Sequence, residues 1–180
     1  MEHIGSKLRE LRKVRSLSLK KLSALTGCAP SYLSMVENGK IDPGISRLKR
    51  IAEGLDVTIV DLFQEKSNGK VVIRRHERIQ AEFKSSKTRI EILVPPIPEK
   101  QIDARLAYIA PGGSSDGYYR HPGEEFGLVL KGSLEITIGG GVYHLAEQDS
   151  FYFSSTQNHR FENISEEETV VLWVNHPASW

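Results

Sequence analysis

The stretch SLKKLSALTGCAPSYLSMVENG, Ser18–Gly39, decides how the first third of the chain folds. Ser18 is a residue type that caps a helix start, its hydroxyl accepting from a nearby backbone N–H. Leu22 and Leu25 follow as an apolar stripe, and Gly27 can take the left-handed conformation that ends a helix. Pro30 stands where a first helical turn tolerates proline. Leu33 and Val36 form the buried stripe of the next helix, and Asn38-Gly39 stops it. Upstream, Ile4, Leu8 and Leu11 recur at i, i+4 and i+7, the spacing of an amphipathic helix. Downstream, Ser46 is expected to cap a fourth helix with Leu48, Ile51, Ala52 and Leu55 on one face. A short fifth helix is expected from Thr58 to Phe63.

Two helices joined by a tight turn at Gly27 form a helix-turn-helix arrangement. Burial of Leu33 and Val36 leaves Ser31, Ser34 and Met35 on the outer face of the second helix, with Tyr32 at its flank. A helix of this size fits the DNA major groove, where its N-terminal residues reach base edges. Charge agrees: residues 1–66 carry 12 Lys/Arg against 8 Asp/Glu, net +4, and residues 67–180 carry 12 against 15, net −3. The basic part favours a polyanion and the acidic part does not.

The same stretch closely resembles the lambda-repressor-like (XRE) family, through Leu22, Gly27, the Ser31-Tyr32-Leu33-Ser34 run and Glu37-Asn38-Gly39. The resemblance implies that Ser31, Tyr32 and Met35 face bases. It implies that Ser18, Lys20, Asn38 and Lys40 touch phosphates, and that Arg12 and Glu37 form an ion pair between the first and third helices. A planar guanidinium matches a carboxylate bidentately, which would fix the angle of the reading helix. Two positions depart from the family: Ala29 replaces a frequent Ser or Thr cap, and Leu19 replaces a frequent Gln near the DNA. Cys28, the single cysteine, is expected to pack as a small hydrophobe.

Beyond the polar segment Gln64–Lys70, taken as a linker, the periodicity changes. VVIRR, RIEILV, ARLAYIA, FGLVLKG, LEITIGG, DSFYF and TVVLWV are short strand-like runs separated by turn residues. They imply an antiparallel barrel or jelly roll. The fold expected is therefore multi-domain: an all-α domain over residues 1–66, then an all-β barrel over residues 67–180. No run of about 18 apolar residues suggests a membrane span, and one cysteine permits no internal disulfide framework, so a reducing cytoplasm is expected.

Inside the barrel pattern, Gly113, Tyr119, His121, Glu125 and Gly132 keep the spacing of the first motif of the cupin family (double-stranded β-helix). His159 and Asn163 keep part of the second. Most metal-binding cupins have a His where this chain has Tyr119. Gln148 replaces the glycine that usually precedes Asp149, and Ser154 replaces a common proline. Residues two apart on a strand share a face, so Tyr119 and His121 are both expected to point inward. His121, His159 and Glu125 make a three-ligand set suited to Zn, Ni or Fe, with Tyr119 as a further ligand or neighbour. Two other readings stay open: a metal-free pocket in which these side chains hold an organic ligand, and packed barrel residues with no ligand.

The order and length of the two parts resemble XRE–cupin transcriptional regulators. That resemblance implies a homodimer on palindromic operator DNA, with the cupin as dimerisation and small-molecule sensor domain, and no enzymatic role. The competing expectation is a mononuclear metal-dependent enzyme, oxygenase-like, using His121, Glu125 and His159.

Overall fold

The computed structural model describes residues 2–57, 59, 62, 71–95, 97 and 100–178. Four helices come first: α1 (Glu2–Val14), α2 (Leu19–Thr26), α3 (Pro30–Glu37) and α4 (Ile45–Gly54). Their ends follow from local chemistry. Ser18 Oγ accepts from the Lys21 N–H, and Gly27 closes α2 at φ 68°. Ala29 precedes Pro30 and offers α3 no side-chain cap. Leu8, Leu22, Leu33, Val36, Leu48 and Leu55 are buried together as the core of this unit. Cys28 is buried beside them.

Ser46 does not cap α4. The helix starts at Ile45 after Gly44, which has no side chain to cap with. The barrel supplies the acceptors instead. The Ile45 N–H donates to Ser86 Oγ (3.2 Å) and the Ser46 N–H to the Ser115 carbonyl (3.2 Å). Buried Ser46 turns its hydroxyl outward from the helix and donates to the Asp116 carbonyl (2.9 Å). The first N–H groups of a helix need acceptors, and a neighbouring domain serves as well as a side chain. Close approach here depends on Gly44, because a Cβ on it would lie 2.3 Å from Asp116 Oδ2.

Nine strands follow: β1 (Gln80–Phe83), β2 (Thr88–Ile92), β3 (Asp103–Ile109), β4 (Glu124–Lys131), β5 (Leu134–Ile138), β6 (Gly141–Leu145), β7 (Ser150–Ser154), β8 (His159–Glu162) and β9 (Thr169–His176). They form a six-stranded sheet in the order β1-β2-β3-β9-β4-β7 and a three-stranded sheet in the order β6-β5-β8, all antiparallel. Alternate residues of β3 and β9 are buried. Phe83, Ile90, Val129, Ile136, Phe161, Val171 and Trp173 fill the space between the sheets.

The VVIRR run, Val71–Arg75, is not a strand: residues 71–74 are irregular and Arg75–Glu77 form one 3₁₀ turn. Val71 is 89% exposed, so β-propensity there finds no sheet to join. The linker Gln64–Lys70 lies outside the described residues, as does most of the expected fifth helix. Gln148 keeps the glycine-like conformation of the position it occupies, at φ 72°, and leads into the Asp149 turn, where Asp149 Oδ2 accepts from the Ala146 N–H (2.8 Å).

Candidate functional site

The outer face of α3 presents Ser31 and Met35 to solvent, with Ser34 half-buried. Ser18, Lys20, Asn38 and Lys40 are exposed around it. Tyr32 is half-buried and lies under the Arg47 guanidinium of α4, 5.5 Å from its ring centre. Asn38 is also structural, its amide donating to the Ser34 carbonyl (2.7 Å). Beneath α3, Arg12 grips Glu37 with two hydrogen bonds, Nε to Oε1 (2.6 Å) and Nη2 to Oε2 (2.9 Å). A third runs from Nη1 to the Leu17 carbonyl (2.8 Å). The guanidinium thus ties together α1, the loop before α2 and the end of α3. Its hydrogen bond to Glu37 outweighs desolvation and raises its pKa.

In the barrel, three elements converge on one point. His121 sits in the loop before β4, Glu125 on β4, and His159 at the start of β8. All three are buried, and their donor atoms lie within 4.8 Å of one another. His121 Nε2 is 2.5 Å and His159 Nε2 is 3.5 Å from the same oxygen, Glu125 Oε1. Each imidazole turns its other nitrogen to a backbone carbonyl: His121 Nδ1 to Pro122 (3.1 Å) and His159 Nδ1 to Gln157 (2.8 Å). Carbonyl acceptors fix the proton on Nδ1, so the Nε2 lone pairs face the carboxylate. This is a set of acceptors short of a proton, and His159 Nε2 makes no hydrogen bond although it is shielded from water. A cation held by all three satisfies the set, so the residues fit a metal ion.

Burial pushes the Glu125 carboxyl upward, but a proton donated from the Nε2 side of His121 or His159, standing in place of a bound cation, and the charge of Lys49 prevail and hold it well below the usual carboxylate range. Glu125 Oε2 accepts from the indole Nε1–H of Trp173 (2.5 Å). Tyr119 faces inward as expected, through an isolated bridge to His159 rather than a regular strand. Its ring meets the His159 ring edge-on at 4.1 Å, and its buried hydroxyl has no hydrogen-bond partner. Burial, then the charge of Glu125, raise the phenol pKa well above its ordinary value, so Tyr119 is a neutral phenol. Asn163 belongs elsewhere: its amide donates to the carbonyls of Ile109 and Glu167, tying down a turn.

Trp173 and Lys49 are neighbours of this centre that motif reading misses. Trp173 had a signal in the alternation of β9, which turns Val171, Trp173 and Asn175 inward. Lys49 had one too. It shares the apolar face of α4 with Ile45, Leu48 and Ala52, at i+4 from Ile45, and is 1% exposed. Its Nζ lies 5.5 Å from the centre of the Tyr119 ring. A cation of the helical domain therefore reaches the barrel centre.

A helical reading unit joined to a barrel with a buried His–Glu–His group defines a DNA-binding regulator with a cupin domain. Comparison with known proteins agrees. A helix-turn-helix family matches residues 8–62 and a cupin domain family matches residues 105–175. The HTH-type transcriptional regulator PuuR of Escherichia coli is 28% identical over 98% of this chain and 96% of its own. The HTH-type regulator SinR of Bacillus subtilis is 38% identical over 64 residues, 35% of this chain and 58% of its own. Among solved structures, an HTH_3 family regulator from Vibrio cholerae superposes with a TM-score of 0.77 at 22% identity, covering 97% of this chain and 95% of that one. Hydroxypropylphosphonic acid epoxidase from S. wedmorenis shares the fold at a TM-score of 0.52 and 19% identity, covering 96% of each chain. The chain carries an XRE-type helix-turn-helix domain followed by a cupin domain. Among the described residues, no helix is long and apolar enough to cross a membrane.

Proposed function

We propose that the protein binds operator DNA through α3 and that the barrel passes the state of its centre to the reading unit through α4. The observation that carries this reading is the capping of α4 by barrel loops, with Ser86, Ser115 and Asp116 accepting from residues 45 and 46. An ion pair from Arg47 Nη1 to Asp116 Oδ2 (2.9 Å) completes the joint. Arg47 also covers Tyr32 of α3, so the joint reaches the reading helix directly. In this reading Ser31, Tyr32, Ser34 and Met35 meet base edges, while Ser18, Lys20, Asn38 and Lys40 meet phosphates. The protein acts in the cytoplasm as a homodimer on a palindromic operator, its reading helices about one DNA turn apart.

His121, Glu125 and His159 would hold one divalent ion, Zn, Ni or Fe. When bound, it supplies Lewis acidity and open positions for a ligand atom. The chain's own contribution is orientation: carbonyls fix the imidazoles, and Trp173 fixes Glu125. A small molecule that binds the free and DNA-bound forms unequally shifts operator affinity by the difference, typically about 1–3 kcal/mol.

A second reading is enzymatic, as a mononuclear metal-dependent oxygenase-like cupin. It is favoured by the same triad and by the fold shared with an epoxidase. One experiment addresses both. Metal content and operator affinity are measured for wild type and His159→Ala, purified without chelator or histidine tag. The sensor reading expects about one metal per chain in wild type, its loss in the variant, and a changed response of operator affinity to chelator. Metal lost with no change in DNA binding, together with oxygen consumption by the wild type, would favour the enzyme.

A further inference from the structure

A cleft of about 490 Å³ opens between the two domains, outside the buried centre. That volume is within the range of small-molecule sites, roughly 300–1,000 Å³. One wall comes from α2 and α4, with Thr26, Arg50 and Glu53. The other comes from barrel loops, with Tyr119, Arg120 and Asn158. Tyr119 thus borders both the cleft and the His–Glu–His centre.

The charges of the lining are unbalanced. Arg50 and Arg120 are cationic, one from each domain, against the single carboxylate of Glu53. Desolvation disfavours the charged form of that carboxylate and raises its pKa. The other cations of this joint are engaged, Arg47 with Asp116 and Lys49 inside the barrel. Arg50 and Arg120 make no hydrogen bond or ion pair among the described residues. Arg50 Nε is shielded from water without a partner, as is the Tyr119 hydroxyl. Neither atom is open to the cleft, so the partners a ligand meets there are the terminal nitrogens of the Arg50 and Arg120 guanidiniums. Two guanidiniums, each a planar fork of N–H donors, match the planar, two-oxygen acceptor of a carboxylate.

We propose that this cleft is a binding site for a short-chain aliphatic carboxylate, held between Arg50 of the DNA-binding domain and Arg120 of the barrel. The site deepens the sensor reading, because a ligand gripped by one arginine from each domain fixes their relative position.

Three probes of matched length separate the charge requirement: glutarate, 5-aminovalerate and cadaverine. Binding to the full-length protein is measured by calorimetry without DNA. Glutarate is expected to bind saturably, 5-aminovalerate through its one carboxylate more weakly, and cadaverine not at all. Arg50→Gln and Arg120→Gln are each expected to weaken glutarate by about ten- to a hundredfold, the loss of one charge-assisted contact. Lys131→Gln, an exposed cation away from the cleft, is expected to leave binding unchanged. Circular dichroism of each variant checks that it folds. Cadaverine binding in preference to glutarate would overturn the proposal. So would no saturable binding of either carboxylate at millimolar concentration, or equal binding by the folded arginine variants. Failure of the site and failure of the sensor reading are separable. Arginine-dependent glutarate binding with unchanged operator affinity upholds the site and sinks its regulatory role. Operator affinity that answers to metal while the cleft stays silent overturns the site and keeps the sensor.

Discussion

Lys49, carried by α4 of the reading unit, places its Nζ 5.5 Å from the centre of the Tyr119 ring inside the barrel. Burial of the ammonium lowers its pKa from 10.5 to about 7, against the opposing pull of Glu125. The native state therefore holds this proton less tightly than the unfolded chain. Between about pH 7 and pH 10.5 the unfolded chain binds more protons, so stability rises with pH across that window. Below it the burial penalty is fully present. Lys49→Met should remove the slope and stabilise the protein at neutral pH by an amount on the order of a few kcal/mol. Urea unfolding of chelator-treated protein across the window tests this. An identical slope in the variant assigns it to another group.

Glu37→Ala strands the guanidinium of Arg12, since the pair is shielded at 12% and 6% side-chain exposure. Breaking one side of a buried pair costs about 3–5 kcal/mol. Stability by urea unfolding and operator affinity by fluorescence anisotropy should fall together, because the same pair sets the pitch of α3 against α1. Arg12→Leu combined with Glu37→Leu should be milder in stability than Glu37→Ala alone. A Glu37→Ala protein with unaltered stability would remove this role from the pair.

Met35 and Lys20 should respond to different measurements. Met35→Ala, on the exposed face of α3, should change which operator bases are preferred and leave the salt slope alone. Lys20→Ala should weaken all sequences alike and reduce the slope of log affinity against log salt by about 0.9. Selection from a randomised operator library and a salt titration read these separately. A reversed pattern would exchange the two roles.

Trp173→Phe keeps an aromatic ring in the barrel core and deletes the N–H that holds Glu125 Oε2. Groups that orient metal ligands typically contribute about ten- to a hundredfold in metal affinity. Zinc affinity by competition with a chromophoric chelator should fall by that factor, with little change in unfolding midpoint. Unchanged affinity would leave the indole as core packing alone.

The helix-turn-helix unit was legible in local residues alone, almost position by position. Ser18, Gly27 and Pro30 act on their own neighbours, and the stripe of Leu22, Leu33 and Val36 is a matter of spacing within one helix. The spacing of His121 and Glu125 was local as well, and the alternation of the strands announced the barrel. Three things were decided by tertiary structure. The start of α4 was one, because its acceptors are Ser86, Ser115 and Asp116, far along the chain, and the nearby Ser46 is used elsewhere. The fate of Val71–Arg75 was another, because a strand-like sequence becomes a strand only where an edge is open to it. The third was the surroundings of the barrel centre. Trp173 and Lys49 stand 48 and 76 residues from Glu125 in sequence. Sheet pairing brings one and domain docking the other, and no local pattern carries the distance between them.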